Sequence, residues 1–360
     1  MAQLVELLQY MTEQRGSDLL VKVGSPPHLR IDGKLLSSDL AKMSPAEIEE
    51  VCADLLPVDK AEELAENGEV DIGHSVSGLG RFRMNVYRQR GSLSLAIRRV
   101  VPGAPSLVNL NLHPTVERLA NEESGLIVVA GPAGSGRTTT VAAMLDQINA
   151  TKAQHVVTIE DPIEVLHADK MSLISQREVG TDTGTMLEAI RRVGRQNADV
   201  IFASELRDGD TAIELLAEAS AGRLVFTTMA TLSTAETVGR IIELCPQHQQ
   251  AAARQTLANV LRGVVCQRLL ERSDGRGRIP AVEVLVNTAK MVEAIASGQD
   301  EAFIDRLVTE GEYHGMQNFD RALFDLYRDN KVNLDDVLAV ASNPEDLRIA
   351  FQQAGLSAAY

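Results

Sequence analysis

Leu126-Ile127-Val128-Val129-Ala130-Gly131-Pro132-Ala133-Gly134-Ser135-Gly136-Arg137-Thr138 decides the fold of this chain. Its first five residues form an apolar run that reads as a buried strand. Thr138 to Ile148 follows as a helix-compatible run. Between them, Gly131 to Thr138 fits the phosphate-binding pattern G-x-x-x-x-G-K-[ST], except that Arg137 stands where lysine is expected. The glycines let the main chain wrap a phosphate, and the N–H groups of loop and helix N-terminus point at the anion. Gly131, Pro132, Ala133, Gly134, Ser135, Gly136, Arg137, Thr138 and Thr139 are the candidate nucleotide-binding residues. The Thr138 hydroxyl is a candidate ligand for Mg2+, so ATP with Mg2+ is the expected cofactor pair.

Two segments downstream supply acids. Thr158-Ile159-Glu160-Asp161-Pro162-Ile163-Glu164 closes one apolar strand with three carboxylates. Acids at the carboxyl end of a parallel strand face the ligand crevice. Glu160 is the candidate for polarising an attacking water; on its own it would read as an acidic loop or a helix cap. Asp199-Val200-Ile201-Phe202-Ala203-Ser204-Glu205 is a second apolar strand ending in an acid. That is the Walker B arrangement, in which a dry strand delivers a carboxylate to the Mg2+ shell through water. Glu205 is therefore both a catalytic and a metal-site candidate. Arg223 to Thr228, ending in hydroxyl residues, reads as one more core strand.

Residues 1–100 read as a small α/β unit, with Leu4, Leu7, Leu8 and Met11 on one helical face and Asp32-Gly33 as a hairpin signal. Two prolines and a glycine within 101–106 mark a linker, which extends over 101–116. Residues 117–288 alternate helical runs with apolar strands, the pattern of a mostly parallel sheet covered on both faces. Residues 289–360 are mainly helical, and the last few are expected to fray.

Composition narrows the classes of function. A net charge of −15 opposes a large nucleic-acid footprint, and 3% aromatics leave few stacking platforms for single strands. Cys52, Cys245 and Cys266 lie far apart, against a disulfide framework and against a zinc ribbon. The opening residues show no secretory signal and no apolar run approaches a membrane span, so a cytoplasmic location is expected. A cluster of arginines, among them Arg81, Arg83 and Arg98, lies in the first hundred residues. An arginine supplied by a neighbouring subunit can stabilise phosphoryl-transfer charge.

With these segments in order, the chain resembles the type IV pilus twitching-motility ATPases, the PilT-like members of the type II/IV secretion ATPase superfamily. The resemblance rests on Gly16-Ser17-Asp18-Leu19, Arg30-Ile31-Asp32-Gly33, Arg81-Phe82-Arg83-Met84-Asn85, the Glu160 and Glu205 segments, Gln176-Arg177-Glu178-Val179-Gly180 and Gly315-Met316-Gln317. It implies an α/β subunit with a PAS-like N-terminal domain, then a RecA-like P-loop ATPase domain with a C-terminal helical extension. It also implies a homohexameric ring that rotates its domains against an inner-membrane pilus platform protein, from the cytoplasmic side of the membrane. By position, Glu160 becomes the catalytic carboxylate, Glu205 the Walker B acid, and Arg81, Arg83 and Arg98 the phosphate-facing arginines. Assembly-type relatives carry a further N-terminal domain and a four-cysteine zinc motif, so the compact retraction-type branch is expected.

Four departures from the family pattern look as if they gather in one site. Arg137 replaces the lysine, Ser204 stands before the Walker B acid in place of glycine, and Arg223 and Ala230 occupy the two positions of a histidine motif. The family's A-I-R-N-L-I-R-E segment leaves only a weak trace at 289–296. Two readings follow: a divergent working motor, or a weakened nucleotide-binding ring subunit acting with an active paralogue.

Overall fold

The computed structural model describes residues 2–31 and 33–356. They fall into two units, Met1–Gly103 with Pro162–Leu166, and Ala104–Asp161 with His167–Tyr360.

In the first unit, α1 (Ala2–Glu13) turns Leu4, Leu7, Leu8 and Met11 into a core. There follow β1 (Asp18–Lys22), β2 (His28–Ile31), β3 (Lys34–Ser37), α2 (Pro45–Leu55), α3 (Val58–Asn67), β4 (Glu69–Val76), β5 (Gly80–Gln89), β6 (Ser92–Arg99) and the short β7 (Val101–Pro102). Ser44 closes a capping box with Glu47 at the start of α2, and Pro45 takes the first helical position where its missing N–H costs nothing. The β2–β3 hairpin leaves a two-residue connection, and Gly33 there has φ +80°, as a tight primed turn demands. Its other member, Asp32, lies outside the described residues, as do residues 357–360 at the chain end.

The six strands run in the order β3-β2-β1-β6-β5-β4, all neighbours antiparallel. Strand alternation separates the two faces. Leu19, Val21, Phe82, Met84, Val86, Leu95 and Ile97 face the helices. Asp18, Arg83, Asn85 and Arg98 take the opposite face.

The second unit opens with α4 (Pro114–Ala120), β8 (Gly125–Ala130), α5 (Arg137–Thr151) and β9 (His155–Glu160). The two-residue β10 (Val165–Leu166) belongs with the first unit, where it pairs in parallel with β7. Then come β11 (Leu173–Glu178), α6 (Met186–Val193), β12 (Val200–Ala203), α7 (Gly209–Ser220), β13 (Leu224–Met229), α8 (Thr234–Leu244), α9 (Gln250–Val260), β14 (Leu261–Glu271) and β15 (Arg278–Val286). The helical end contains α10 (Ala289–Ser297), α11 (Glu301–Glu310), α12 (Phe319–Arg328), α13 (Leu334–Val340) and α14 (Pro344–Gln353).

The sheet order is β11-β9-β12-β13-β8-β14-β15, parallel throughout except for β15 on β14. Every residue of β8, β12 and β13 is buried, because helices cover both faces. One face carries Ile127, Val129, Phe202 and Phe226 against Val141, Met144 and Leu145 of α5. The other carries Val128, Ile201 and Val225 in one core with Leu215 of α7 and with Met291, Ile304, Phe319 and Phe351 of the terminal helices.

β4 and β11 are strands that sequence reasoning missed. β4 is broken up by polar residues, and in β11 only Glu178 is buried. Neither shows the apolar run or clean alternation on which strand reading depends.

Phe226 sits in the middle of this sheet with no exposed surface. Phe226→Ala is expected to cost about 3–5 kcal/mol by urea unfolding. A loss under about 1 kcal/mol would show that the face beneath α5 collapses into the space.

Candidate nucleotide-binding site

Parallel pairing aligns the carboxyl ends of four strands at one edge. Ala130 of β8 is paired with Met229 of β13, and Ala203 of β12 with Ile159 of β9 and Thr227 of β13. The glycine loop and Glu205, just beyond their strands, and Glu160 and Thr228, at the ends of theirs, therefore all lie at the same end of the sheet, where ligands bind in open α/β sheets.

The loop itself is built by exclusion of side chains. Gly131, Gly134 and Gly136 have φ of 144°, 77° and 89°, outside what L side chains readily adopt. A Cβ on Gly131 would lie 2.4 Å from the Gln267 carbonyl oxygen and 2.5 Å from Ser135 Oγ. The turn is closed by Ser135 N–H donating to the Pro132 carbonyl at 3.2 Å. Gly136 caps α5, and Arg137, Thr138 and Thr139 form its first turn. Thr139 is exposed and Thr138 half-buried. Ser135 Oγ is buried and has no hydrogen-bond partner among the described residues. A buried hydroxyl left without a partner, in a loop that leads into a helix N-terminus, fits an anion such as a phosphate.

Gln267, on β14, fastens this loop from beneath. Its side chain is 1% exposed. Nε2 donates to the Ser135 carbonyl at 2.6 Å, and Oε1 accepts from Thr140 Oγ1 at 2.9 Å. One amide thus ties the loop to the helix it feeds. Sequence reasoning passed over it, although a lone glutamine inside Val264-Val265-Cys266-Gln267 was the signal: a buried polar residue must have partners.

Glu160 ends β9 and is 3% exposed. Its Oε1 accepts from Thr158 Oγ1 at 2.6 Å and from Gln176 Nε2 at 3.1 Å. Alternation from Val156 puts Glu160 on the sheet face that α5 covers. Gln176 reaches it because β11 pairs with β9 in parallel register.

Glu205 lies just beyond β12 and is held by two guanidinium groups. Arg137 Nη1 donates to Oε1 at 3.2 Å. Arg207 donates to Oε2 through Nε at 2.8 Å and lies 2.7 Å from it through Nη2. Arg207 also approaches Asp161, at 3.8 Å. Arg137 of the loop and Glu205, the Walker B candidate, are thus directly paired, a contact the sequence did not disclose. Ser204 fits its place: its Oγ accepts from the Asp161 N–H at 3.2 Å, and its carbonyl accepts from the Thr228 hydroxyl.

The expectation that four departures share one site is corrected by the structure. Arg223 precedes β13 at the opposite end from the loop, roughly 15–20 Å of strand away. There it donates to the Ala198 carbonyl at 3.1 Å and pairs with Glu218. Ala230 is at the loop end, exposed just after β13.

The three arginines of the first unit lie on β5 and β6. Arg83 and Arg98 are register partners and share the sheet's polar face. Arg83 lies 3.8 Å from Asp71 and Arg98 2.7 Å from Asp18. The four side chains line a cavity of about 290 Å³ within that unit. Arg81 donates to Ser75 Oγ at 3.1 Å.

A glycine loop between a buried parallel strand and a helix, with two acids at the same sheet edge, defines a RecA-like P-loop domain. Comparison narrows that class. The family of type II/IV secretion system proteins matches residues 106–321, and the chain belongs to it as a PilT-like ATPase. It is 32% identical to the type IV pilus ATPase PilU of Pseudomonas aeruginosa, over 96% of this chain and 90% of that protein. It is also 32% identical to the PilT retraction ATPase of the same organism, over 95% and 99%. The crystal structure of the pilus retraction motor PilT with bound ADP superposes with a TM-score of 0.86 at 35% identity, over 95% of this chain and 98% of that one.

Gly131→Ala should abolish nucleotide binding, because the added Cβ collides with the main chain of Gln267 rather than with a side chain that can move aside. An equilibrium titration with a fluorescent ADP checks this; retained affinity would show that the loop does not hold the phosphates.

Proposed function

We propose that this chain is the subunit of a hexameric motor that couples ATP binding and hydrolysis to type IV pilus retraction. The observation that carries this reading is the glycine-rich loop at the sheet edge shared by Glu160 and Glu205. Main-chain N–H groups of the loop 131–139 cradle the phosphates, except at Pro132, which has none, and at Gly131 and Ser135, whose N–H groups are committed elsewhere; Ser135 Oγ is a further donor. The Thr138 hydroxyl and Glu205 form an oxygen-only donor set, which suits a hard cation such as Mg2+. When bound, Mg2+ offsets the charge on the phosphates. Glu160, held by Thr158 and Gln176, orients the attacking water and accepts its proton. Arg81, Arg83 and Arg98 reach a neighbouring subunit's nucleotide. For Arg83 and Arg98, this means exchanging Asp71 and Asp18 for a phosphate.

Residues 1–100 act as the PAS-like domain, 101–116 as linker, 117–288 as the ATPase domain and 289–360 as its helical extension. Among the described residues no helix is long and apolar enough to cross a membrane. The ring works on the inner face of the cell membrane, against a pilus platform protein.

One observation favours a second reading. The Arg137–Glu205 pair occupies the acid that the metal needs, so turnover is slowed. A ring subunit that binds nucleotide and assembles with an active paralogue fits such a site.

Glu160→Gln is expected to lower phosphate release by about 100-fold or more while leaving ADP affinity within about threefold, as loss of a general base does. Arg137→Lys, which leaves Glu205 with Arg207 alone, is expected to raise turnover about tenfold or more. A steady-state phosphate assay on both variants separates the readings. Parent turnover with no gain in the lysine variant supports the working motor. No turnover in either removes the motor reading. Restored twitching in a bacterium lacking its retraction ATPase tests the coupling.

A further inference from the structure

Arg137 does more than stand in for lysine at the loop. It begins α5, so its main chain belongs to the phosphate cradle, yet its guanidinium lies 3.2 Å from Oε1 of Glu205. Both residues are largely withdrawn from solvent, with side chains 17% and 24% exposed. The other carboxylate oxygen is taken by Arg207 at 2.7 Å.

A Walker B acid poses an electrostatic difficulty for its own ligand. It holds a negative charge beside a binding site for a polyanion, in surroundings that screen charge poorly. A lysine ammonium is a compact point charge that serves the phosphates, so a divalent cation is needed to reconcile acid and phosphate. Arginine is longer, planar and presents donors on more than one edge. One edge can hold the carboxylate while the group remains beside the cradle. With Arg207 on Oε2, the charge of Glu205 is offset by two guanidinium groups before any metal arrives.

We infer that Arg137, seconded by Arg207, replaces the divalent cation in reconciling Glu205 with the nucleotide's phosphates, so that this chain binds nucleoside di- and triphosphates without magnesium. The inference rests on the nucleotide-binding reading above and concerns affinity alone. Hydrolysis still calls for Glu205 to exchange Arg137 for metal.

The test is a calorimetric titration of the full chain with ADP and with a non-hydrolysable ATP analogue, in EDTA and in millimolar Mg2+. The parent Kd is expected to differ by less than about threefold between the two buffers. The Arg137→Lys variant should bind roughly tenfold or more weakly in EDTA than in Mg2+, the scale of one charge-assisted hydrogen bond. Adding Glu205→Gln to Arg137→Lys should bring back metal-free binding, because the acid's charge has gone. A parent that weakens tenfold in EDTA overturns the inference and leaves nucleotide binding standing. So does a lysine variant as indifferent to EDTA as the parent, or a double variant that still needs metal. A parent that binds in neither buffer overturns the nucleotide reading as well.

Discussion

Between the last residue of β8 and the first of α5, the main chain must turn where there is no room for a Cβ. At Gly131 the obstacle is backbone: the Gln267 carbonyl of β14, paired beside β8 in the same sheet. Gln267 lies inside β14, so its carbonyl cannot withdraw without disturbing the ladder, and Gly131 follows directly on the last paired residue of β8. Gln267 then uses its side chain to bind the loop at Ser135 and the helix at Thr140. The loop's amides are pre-arranged by these neighbours rather than by the anion. Pre-arranged donors cost little reorganisation when charge arrives, and that is where such sites gain their strength.

The exchange of lysine for arginine alters a network rather than a single residue. The site has an acid at the end of β12 and another at the end of β9, treated in opposite ways. Glu160 is buried and held by neutral donors, Thr158 and Gln176. Glu205 is bracketed by cations, and its charge is already spent on them. A lysine at 137 would leave Glu205 with Arg207 alone, so the single change at the loop alters how firmly that acid is held.

Much of this was legible in the chain itself. The strands β8, β12 and β13 are wholly buried and read as apolar runs, and the glycine spacing placed the loop. Glu160 and Glu205 stand at one edge because a parallel sheet sends its carboxyl ends there. What escaped was whatever depends on a partner distant in sequence. Arg137 meets Glu205 across 68 residues, and Gln267 meets Ser135 across 132. Spacing cannot register such pairs. Position along a strand was also misread: Arg223 and Ala230 are seven apart and bracket one strand, so they stand at opposite ends of the sheet. Counting departures by family motif merges what the fold separates.

The pairing of arginines with acids recurs on the polar face of the first unit, where Arg83 meets Asp71 and Arg98 meets Asp18. For an acidic chain of net charge −15, this is a physical consequence of having few cations and many carboxylates. It also has an effect on selectivity. A guanidinium already satisfied by a carboxylate yields only to an anion that offers more charge and more acceptors. Monovalent anions do not meet that condition, and a di- or triphosphate does. Arginine suits this arrangement better than lysine because its planar fork can keep one partner while engaging another. In the proposed ring, Arg137 and a neighbour's Arg83 and Arg98 would obey one rule: each is paired with an acid of its own chain until a polyphosphate displaces that acid.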